Sequence, residues 1–119
     1  MNMNKKILFA ATFLLSTSAA LACDYPHRAD VPDGTTATKE QIIEGERGVK
    51  EYMSAMEEYL SCIENAEQET VAGADYIDEA TKQQLIEMYK IKYNAAVDEL
   101  NLVAEVFNVL VCAYKERNQ

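Results

Sequence analysis

The chain has 119 residues, with 11 basic and 20 acidic side chains and a formal net charge of -9. This acidity argues against binding to nucleic acid or to anionic membrane surfaces, because both repel negative charge. The sequence contains one histidine, His27, so it cannot assemble a histidine cluster for acid–base catalysis or metal binding. We therefore expect a protein that is not an enzyme and that carries no cofactor or metal.

Residues 1–22 have the pattern of an export signal. Lys5 and Lys6 precede a short apolar run, and Ala20-Leu21-Ala22 is typical of a cleavage site. The apolar run is shorter than the ~20 residues that span a bilayer, so we expect no transmembrane anchor. Loss of the two lysines changes the net charge from -9 to -11. The cleaved chain, residues 23–119, is expected to be one small helical domain that is periplasmic or secreted.

Cys23 would be the first residue after cleavage, which raises the question of lipid attachment to its thiol. Signal peptidases that prepare a lipid-bearing cysteine require a large aliphatic residue three positions earlier, and that position holds Ala20. We favour a chain without lipid, and acylation of Cys23 stays open as the alternative.

Residues 23–38 are predicted to form an extended arm. Pro26 and Pro32 favour extended geometry in the residues before them, and the Pro-Asp-Gly that starts at Pro32 is typical of a turn. Helix two is expected to extend beyond the start of helix one. We therefore expect the arm to lie back along the helices and to cover the apolar end of helix two with Val31 and Pro32.

Helix one is predicted over residues 39–70. Thr38 fits an N-cap and Gln41, three residues later, completes a capping box. Its main apolar line recurs every seven positions: Ile42, Val49, Met56 and Ile63. This spacing places one broad apolar stripe along the helix.

Helix two is predicted over residues 76–115, with Asp75 as its cap after a turn that contains Gly73. One apolar line along it consists of Ile86, Tyr93, Leu100, Phe107 and Tyr114. Two long helices joined by a short connection run antiparallel. The predicted fold class is therefore all-α: an antiparallel two-helix hairpin with an extended N-terminal arm packed along it.

The predicted register places Gly48 opposite Ala96. Gly45 and Gly48 each cost roughly 1 kcal/mol relative to alanine inside a helix. They indicate either a close backbone approach or simple tolerance of glycine, and both interpretations stay open.

The three cysteines differ in what they can reach. In a continuous hairpin Cys62 and Cys112 lie roughly 45 Å apart, which no disulfide spans. The extended arm is long enough to bring Cys23 back to Cys62, so these two residues are predicted to form the disulfide. Cys112 then remains a free thiol on the outer side of the helix pair, either without consequence or pairing two copies into a homodimer.

Three asparagines on helix two, Asn94, Asn101 and Asn108, repeat every seven residues. An amide side chain can both donate to and accept from the backbone groups of an extended arm, which lacks a strand partner. The hypothesis is that these asparagines hold the arm on the hairpin. The alternative is a polar flank that faces solvent.

Several motifs resemble a group of small exported proteobacterial proteins of unknown function. They are the Cys-x-x-Pro at Cys23, the string VPDGTTATKEQ at 31–41, VKEYMSAMEEYLSC at 49–62 and YNAAVDELNLVAEVFN at 93–108. The resemblance covers almost the whole chain after residue 22 and implies cysteines at positions 23 and 62, with Cys112 as a departure. It implies a fold and a compartment but no activity.

These features favour a non-enzymatic periplasmic interaction or envelope accessory module, whose unknown protein partner would bind an acidic helical face and would itself be basic. The alternative is a carrier of a small molecule or metal in the groove between the helices and the arm. A side-chain-filled core would argue against the carrier, and an apolar cavity of several hundred Å³ would support it.

Overall fold

A computed structural model describes residues 23–119, so the predicted signal peptide lies outside the described residues. The described chain consists of an extended arm, helix α1 (Lys39–Ala72), a short 3-10 turn (Ala74–Tyr76) and helix α2 (Glu79–Arg117). The two helices pack against each other as an antiparallel hairpin, and the arm lies along them. The predicted fold class is therefore confirmed.

Helix α1 begins where the capping box predicts. The backbone N–H of Gln41 donates to the Thr38 hydroxyl at 3.2 Å, and the Thr38 N–H donates to the Gln41 side chain at 2.8 Å. These two bonds satisfy backbone donors that a helix end leaves free. The helix ends at Ala72, two residues later than predicted, and Gly73 caps it by donating to the Glu69 carbonyl at 3.0 Å.

Helix α2 begins at Glu79 rather than at residue 76, because Asp78 and not Asp75 is its N-cap. The Asp78 carboxylate accepts from the Thr81 N–H at 2.8 Å and from the Thr81 hydroxyl at 2.9 Å. These bonds stabilise the ionised carboxylate and lower the pKa of Asp78. Asp75 lies instead in the 3-10 turn.

The longer connection changes the register of the hairpin. The midpoint of the connection is shifted towards α2. Gly45 therefore lies opposite Phe107, whereas the predicted register places a residue about seven positions earlier in α2 opposite Gly45. Of the two open interpretations, simple tolerance of glycine holds at Gly48, since no atom of a neighbouring element lies within 4 Å of the position that a Cβ would occupy. At Gly45 the close neighbour is the ring of Pro32 in the arm, 2.9 Å from that position.

The larger apolar cluster fills the middle of the hairpin. Met56 of α1 and Val103 of α2 are the largest fully buried side chains. The other buried members of this cluster are Val49, Tyr52, Tyr59 and Ala96, with Ala29 and Val31 of the arm packed against them. The arm therefore completes the core as a third layer, as the sequence predicts.

A smaller cluster closes the end of the hairpin that is remote from the turn. Ala37, Ile42 and Leu110 are buried there, and Val31 of the arm packs on them together with Phe107. The predicted cover of the end of helix two by the arm is confirmed. Gly34 lies directly on the Leu110 carbonyl, where a Cβ would collide.

Candidate functional site

The predicted disulfide between Cys23 and Cys62 is present, with the two Cα atoms 5.7 Å apart. Next to it the ring of Tyr25 packs edge-on against Tyr59, with centroids 5.0 Å apart. The bond fixes the arm to α1 about two thirds of the way along that helix. Towards the turn, no described residue of the arm lies over the seam between the helices.

An open apolar groove occupies this uncovered part of the seam. We name it the turn-end groove; its volume is about 430 Å³. The side chains that make its walls apolar come from both helices: Tyr59, Ile63, Val71, Leu85, Met88 and Tyr89. Cys23 lies at its inner end, so the disulfide marks the boundary between the covered seam and the open groove.

Charged groups stand at the rim of the turn-end groove. Glu67 of α1 and Lys92 of α2 both line it. Burial raises the pKa of the Tyr89 hydroxyl, and the nearby carboxylates of Glu64 and Glu67 raise it further. Negative charge therefore lies close to the apolar wall.

The acidic side chains in the two halves of α1 differ in whether they form ion pairs. In the first half Arg47 forms ion pairs with Glu44 and Glu51, and the Lys50 ammonium lies 2.7 Å from the Glu46 carboxylate. Within residues 23–119 no ion pair of this kind reaches the exposed carboxylates of the second half, Glu57, Glu58 and Glu64. The second half of α1 therefore carries more unpaired negative charge than the first half.

An ion pair joins the middle of the arm to α2, and a buried tyrosine of α1 lies beneath the arm. The Arg28 guanidinium lies 2.9 Å from the Glu99 carboxylate of α2. Tyr52 is only 4% exposed, and its hydroxyl has no hydrogen-bond partner in the described part of the chain. Burial, assisted by Tyr25 and Glu99, raises the pKa of Tyr52 to about 12. The phenol therefore stays neutral beneath the arm.

The start of helix α1 is tied to the end of α2 by a residue that sequence reasoning missed. The Arg117 guanidinium donates to the Thr35 carbonyl at 2.9 Å and also to the Ala37 carbonyl. Both carbonyls precede α1 and lie outside any helical hydrogen-bond ladder. An arginine near the end of a helix is common, so its spacing alone does not indicate this contact.

The hypothesis that asparagines hold the arm is wrong. Asn94, Asn101 and Asn108 are all exposed, and no hydrogen bond described for residues 23–119 joins them to the arm. The arm contacts α2 through the face that carries Glu99 and Val103. At 100° per residue the asparagines lie about 160° around the helix from that face, so they point away from the arm.

Three further features concern the third cysteine, metal ions and membrane spans. Cys112 is an exposed free thiol. Among the described residues no group of three or more His, Cys, Asp or Glu side chains is arranged to hold a metal ion. The helices in this part of the chain also include none that is long and apolar enough to cross a bilayer.

No family model, curated protein or solved structure matches the chain. The resemblance to small exported proteobacterial proteins therefore stays an expectation.

Proposed function

We propose that this protein is an exported, non-enzymatic interaction module that binds an apolar segment of another protein in the turn-end groove. The observation that carries the proposal is the open apolar seam beyond Cys23, which the described part of the arm does not cover. Between Ala37 and Cys23 the arm covers the seam, whereas towards the turn the same seam is open and apolar. A segment of a partner would continue the layer that the arm begins.

The dimensions of the groove suit a short amphipathic helix. Ile63 and Val71 are eight positions apart on α1, which corresponds to about 12 Å or two helical turns. A helix that places apolar residues at i, i+3 or i+4, and i+7 presents anchors over a similar length. Burial of such anchors would remove the exposed side of Met88 and the neighbouring groove wall from water.

The charges around the groove indicate which kind of partner segment binds there. The groove is bordered by Glu67, and Glu57, Glu58 and Glu64 stand unneutralised on the same half of α1. A partner helix with lysine or arginine on its polar face would be attracted to this surface and oriented by it. The proposed partner is therefore a basic amphipathic segment, and the acidic face acts together with the groove.

Export is part of the same proposal. The intrachain disulfide is compatible with an oxidising, extracellular location such as the periplasm. Lipid attachment at Cys23 does not fit this state, because the sulfur that would carry the acyl group is bonded to Cys62. We infer that the protein acts as a free periplasmic or secreted module.

A small-molecule carrier is the second candidate, because about 430 Å³ lies within the usual size of ligand pockets. The two candidates differ in their response to salt. A basic segment bound beside acidic side chains should be released at about 1 M salt, where charges are screened within ~3 Å. A buried apolar ligand should stay bound and should appear in native mass spectra of the purified protein.

The test uses a substitution that fills the groove with a bulky side chain and leaves the core unchanged. Ala66 is exposed and lines the groove, so Ala66→Trp should occupy it, while Ala80→Trp adds the same bulk on an exposed site near the start of α2. We expect the wild type and Ala80→Trp to bind basic amphipathic helical peptides in fluorescence titrations, and Ala66→Trp to bind at least tenfold more weakly. Equal binding by all three proteins would refute the groove as the site.

A further inference from the structure

Helix α2 carries a second apolar surface, which is largely exposed and borders the turn-end groove at Met88 and the arm at Val106. Its large members are 41% to 64% exposed, and Ala95 between them is also exposed. The outer stripe consists of Met88, Ile91, Ala95, Leu102, Val106 and Val109. At 100° per residue these six side chains fall within about 60° of the helix surface, over a length of about 32 Å. Contiguous exposed apolar surface of this kind marks an interaction site.

The spacing of the outer stripe is symmetric. Counted from the midpoint between Asp98 and Glu99, its members lie at equal distances on either side: Met88 with Val109, Ile91 with Val106, and Ala95 with Leu102. A twofold interface requires the same surface to be complementary to itself after reversal. We propose that two copies of this chain associate through the outer stripe as an antiparallel dimer, with the twofold axis next to Asp98 and Glu99.

The pairs fit in size as well as in polarity. Ala95 of one copy faces Leu102 of the other, so a small residue meets a large one on each side of the axis. Met88 faces Val109 and Ile91 faces Val106 in the same register. A parallel arrangement would instead place Ala95 against Ala95 and Leu102 against Leu102, so a small residue would not meet a large one across the interface.

The two flanks of the stripe also agree with a twofold axis. On the arm side Arg28 is 52% exposed at its side chain and lies beside Glu99, so each guanidinium can also reach Glu99 of the second copy. Further out, exposed Lys92 comes to the level of Glu105 of the second copy, next to Val106, which is bordered by that copy's Asp30. On this flank each basic side chain therefore lies near an acidic side chain of the second copy.

The other flank carries the asparagines that do not hold the arm. Asn94, Asn101 and Asn108 lie about 100° from the centre of the stripe, where residues border a helix pair. In the antiparallel register Asn94 comes to the level of Val103 of the second copy, about 3 Å along the helix from that copy's Asn101. Neutral amides can donate and accept across such a boundary. A position at the border of the dimer interface accounts for the seven-residue spacing of the asparagines.

This dimer does not use Cys112. In the antiparallel register Cys112 comes to the level of Leu85 of the second copy, so the two Cys112 thiols lie roughly 40 Å apart along the helices. The inference differs here from a homodimer joined through Cys112. It is also separate from the proposed partner in the turn-end groove, although Met88 borders both surfaces.

The first test is sedimentation of the exported, oxidised protein with Cys112→Ser, over a range of concentrations. We expect a reversible dimer, and Leu102→Asp should raise its dissociation constant roughly 100-fold, since the symmetry places the change in the interface twice. The matched control is Ile43→Asp, which changes a 56% exposed residue of α1 outside the stripe and should leave the dimer intact. A monomer at all concentrations, or equal loss in both variants, would overturn the proposal.

The second test reports orientation and does not depend on affinity. In the Cys112→Ser background, Met88→Cys combined with Val109→Cys should form intermolecular disulfides under mild oxidation. Met88→Cys alone should not, because two copies of that position lie about 32 Å apart in the antiparallel dimer. Efficient bonding by the single variant would show a parallel pair and contradict the inference. Peptide binding by the groove is measured separately, so either proposal can fail alone.

Discussion

The two halves of the hairpin contain the same pair of helices but differ in what covers their seam. In the half remote from the turn the arm supplies a third layer, and Met56, Val103 and Leu110 are buried. In the half next to the turn no described arm residue reaches the seam, and the apolar turn-end groove remains open. Two helices alone therefore do not bury their apolar stripes. The third layer decides which part is core and which part is a binding surface.

Breaking the disulfide should produce the largest change in this comparison. The bond closes a loop of 39 residues, and the chain-entropy model assigns such a loop about 4 kcal/mol. Replacing both Cys23 and Cys62 by alanine should therefore lower the free energy of unfolding by about 4 kcal/mol in urea denaturation.

Hydrogen exchange should locate that loss. Protection should fall for amides of α1 and α2 beneath the arm, whereas amides that border the groove should change less, because the arm does not cover them. Cys112→Ser is the control and should leave stability within about 0.5 kcal/mol of the wild type, since that thiol is exposed. Equal loss of protection along both helices would contradict the division into two halves.

Two methionines compare the halves directly. Met56 is 0% exposed beneath the arm, whereas Met88 is 52% exposed at the groove. Met56→Ala should cost about 3 kcal/mol of unfolding free energy, because it leaves a cavity in a packed core. Met88→Ala should cost less than about 1 kcal/mol. Similar costs in thermal or chemical unfolding would mean that the groove is as well packed as the core.

Two glycines should give effects of opposite sign. At Gly34 a methyl group would collide with the Leu110 carbonyl, so Gly34→Ala should destabilise the protein by about 1 to 3 kcal/mol. At Gly48 nothing lies within 4 Å, so Gly48→Ala should stabilise α1 by up to about 1 kcal/mol. Denaturant midpoints measure both changes. A stable Gly34→Ala protein would show that the arm is not seated on α2 as described.

The sequence predicts the elements well where local chemistry decides them. The capping box at Thr38 predicts the start of α1, and the heptad lines predict two long antiparallel helices. The disulfide follows from chain length and helix geometry, because Cys62 and Cys112 lie too far apart to bond and the arm is long enough to bring Cys23 to Cys62. These features depend on near neighbours along the chain or on simple distances.

The sequence is less informative about the candidate site. Asp75 and Asp78 are both plausible caps, and the choice between them moves the start of α2 by three residues and so contributes to the change in register. The asparagine stripe has a regular spacing, but spacing does not show which side of α2 receives the arm. The groove cannot be predicted from any one segment, since its walls come from residues of two helices that are 14 to 33 positions apart in the chain.

The sequence by itself determined the helices, their antiparallel order, the acidic surface and the pair of cysteines that can bond. Helical period, capping and chain length fix these properties, and each depends on interactions that are local or purely geometric. Only the tertiary structure decided the final register, the face of α2 that carries the arm and the point where cover of the seam stops. These depend on which of several apolar faces pack together, and α2 has apolar residues on more sides than its neighbours can bury.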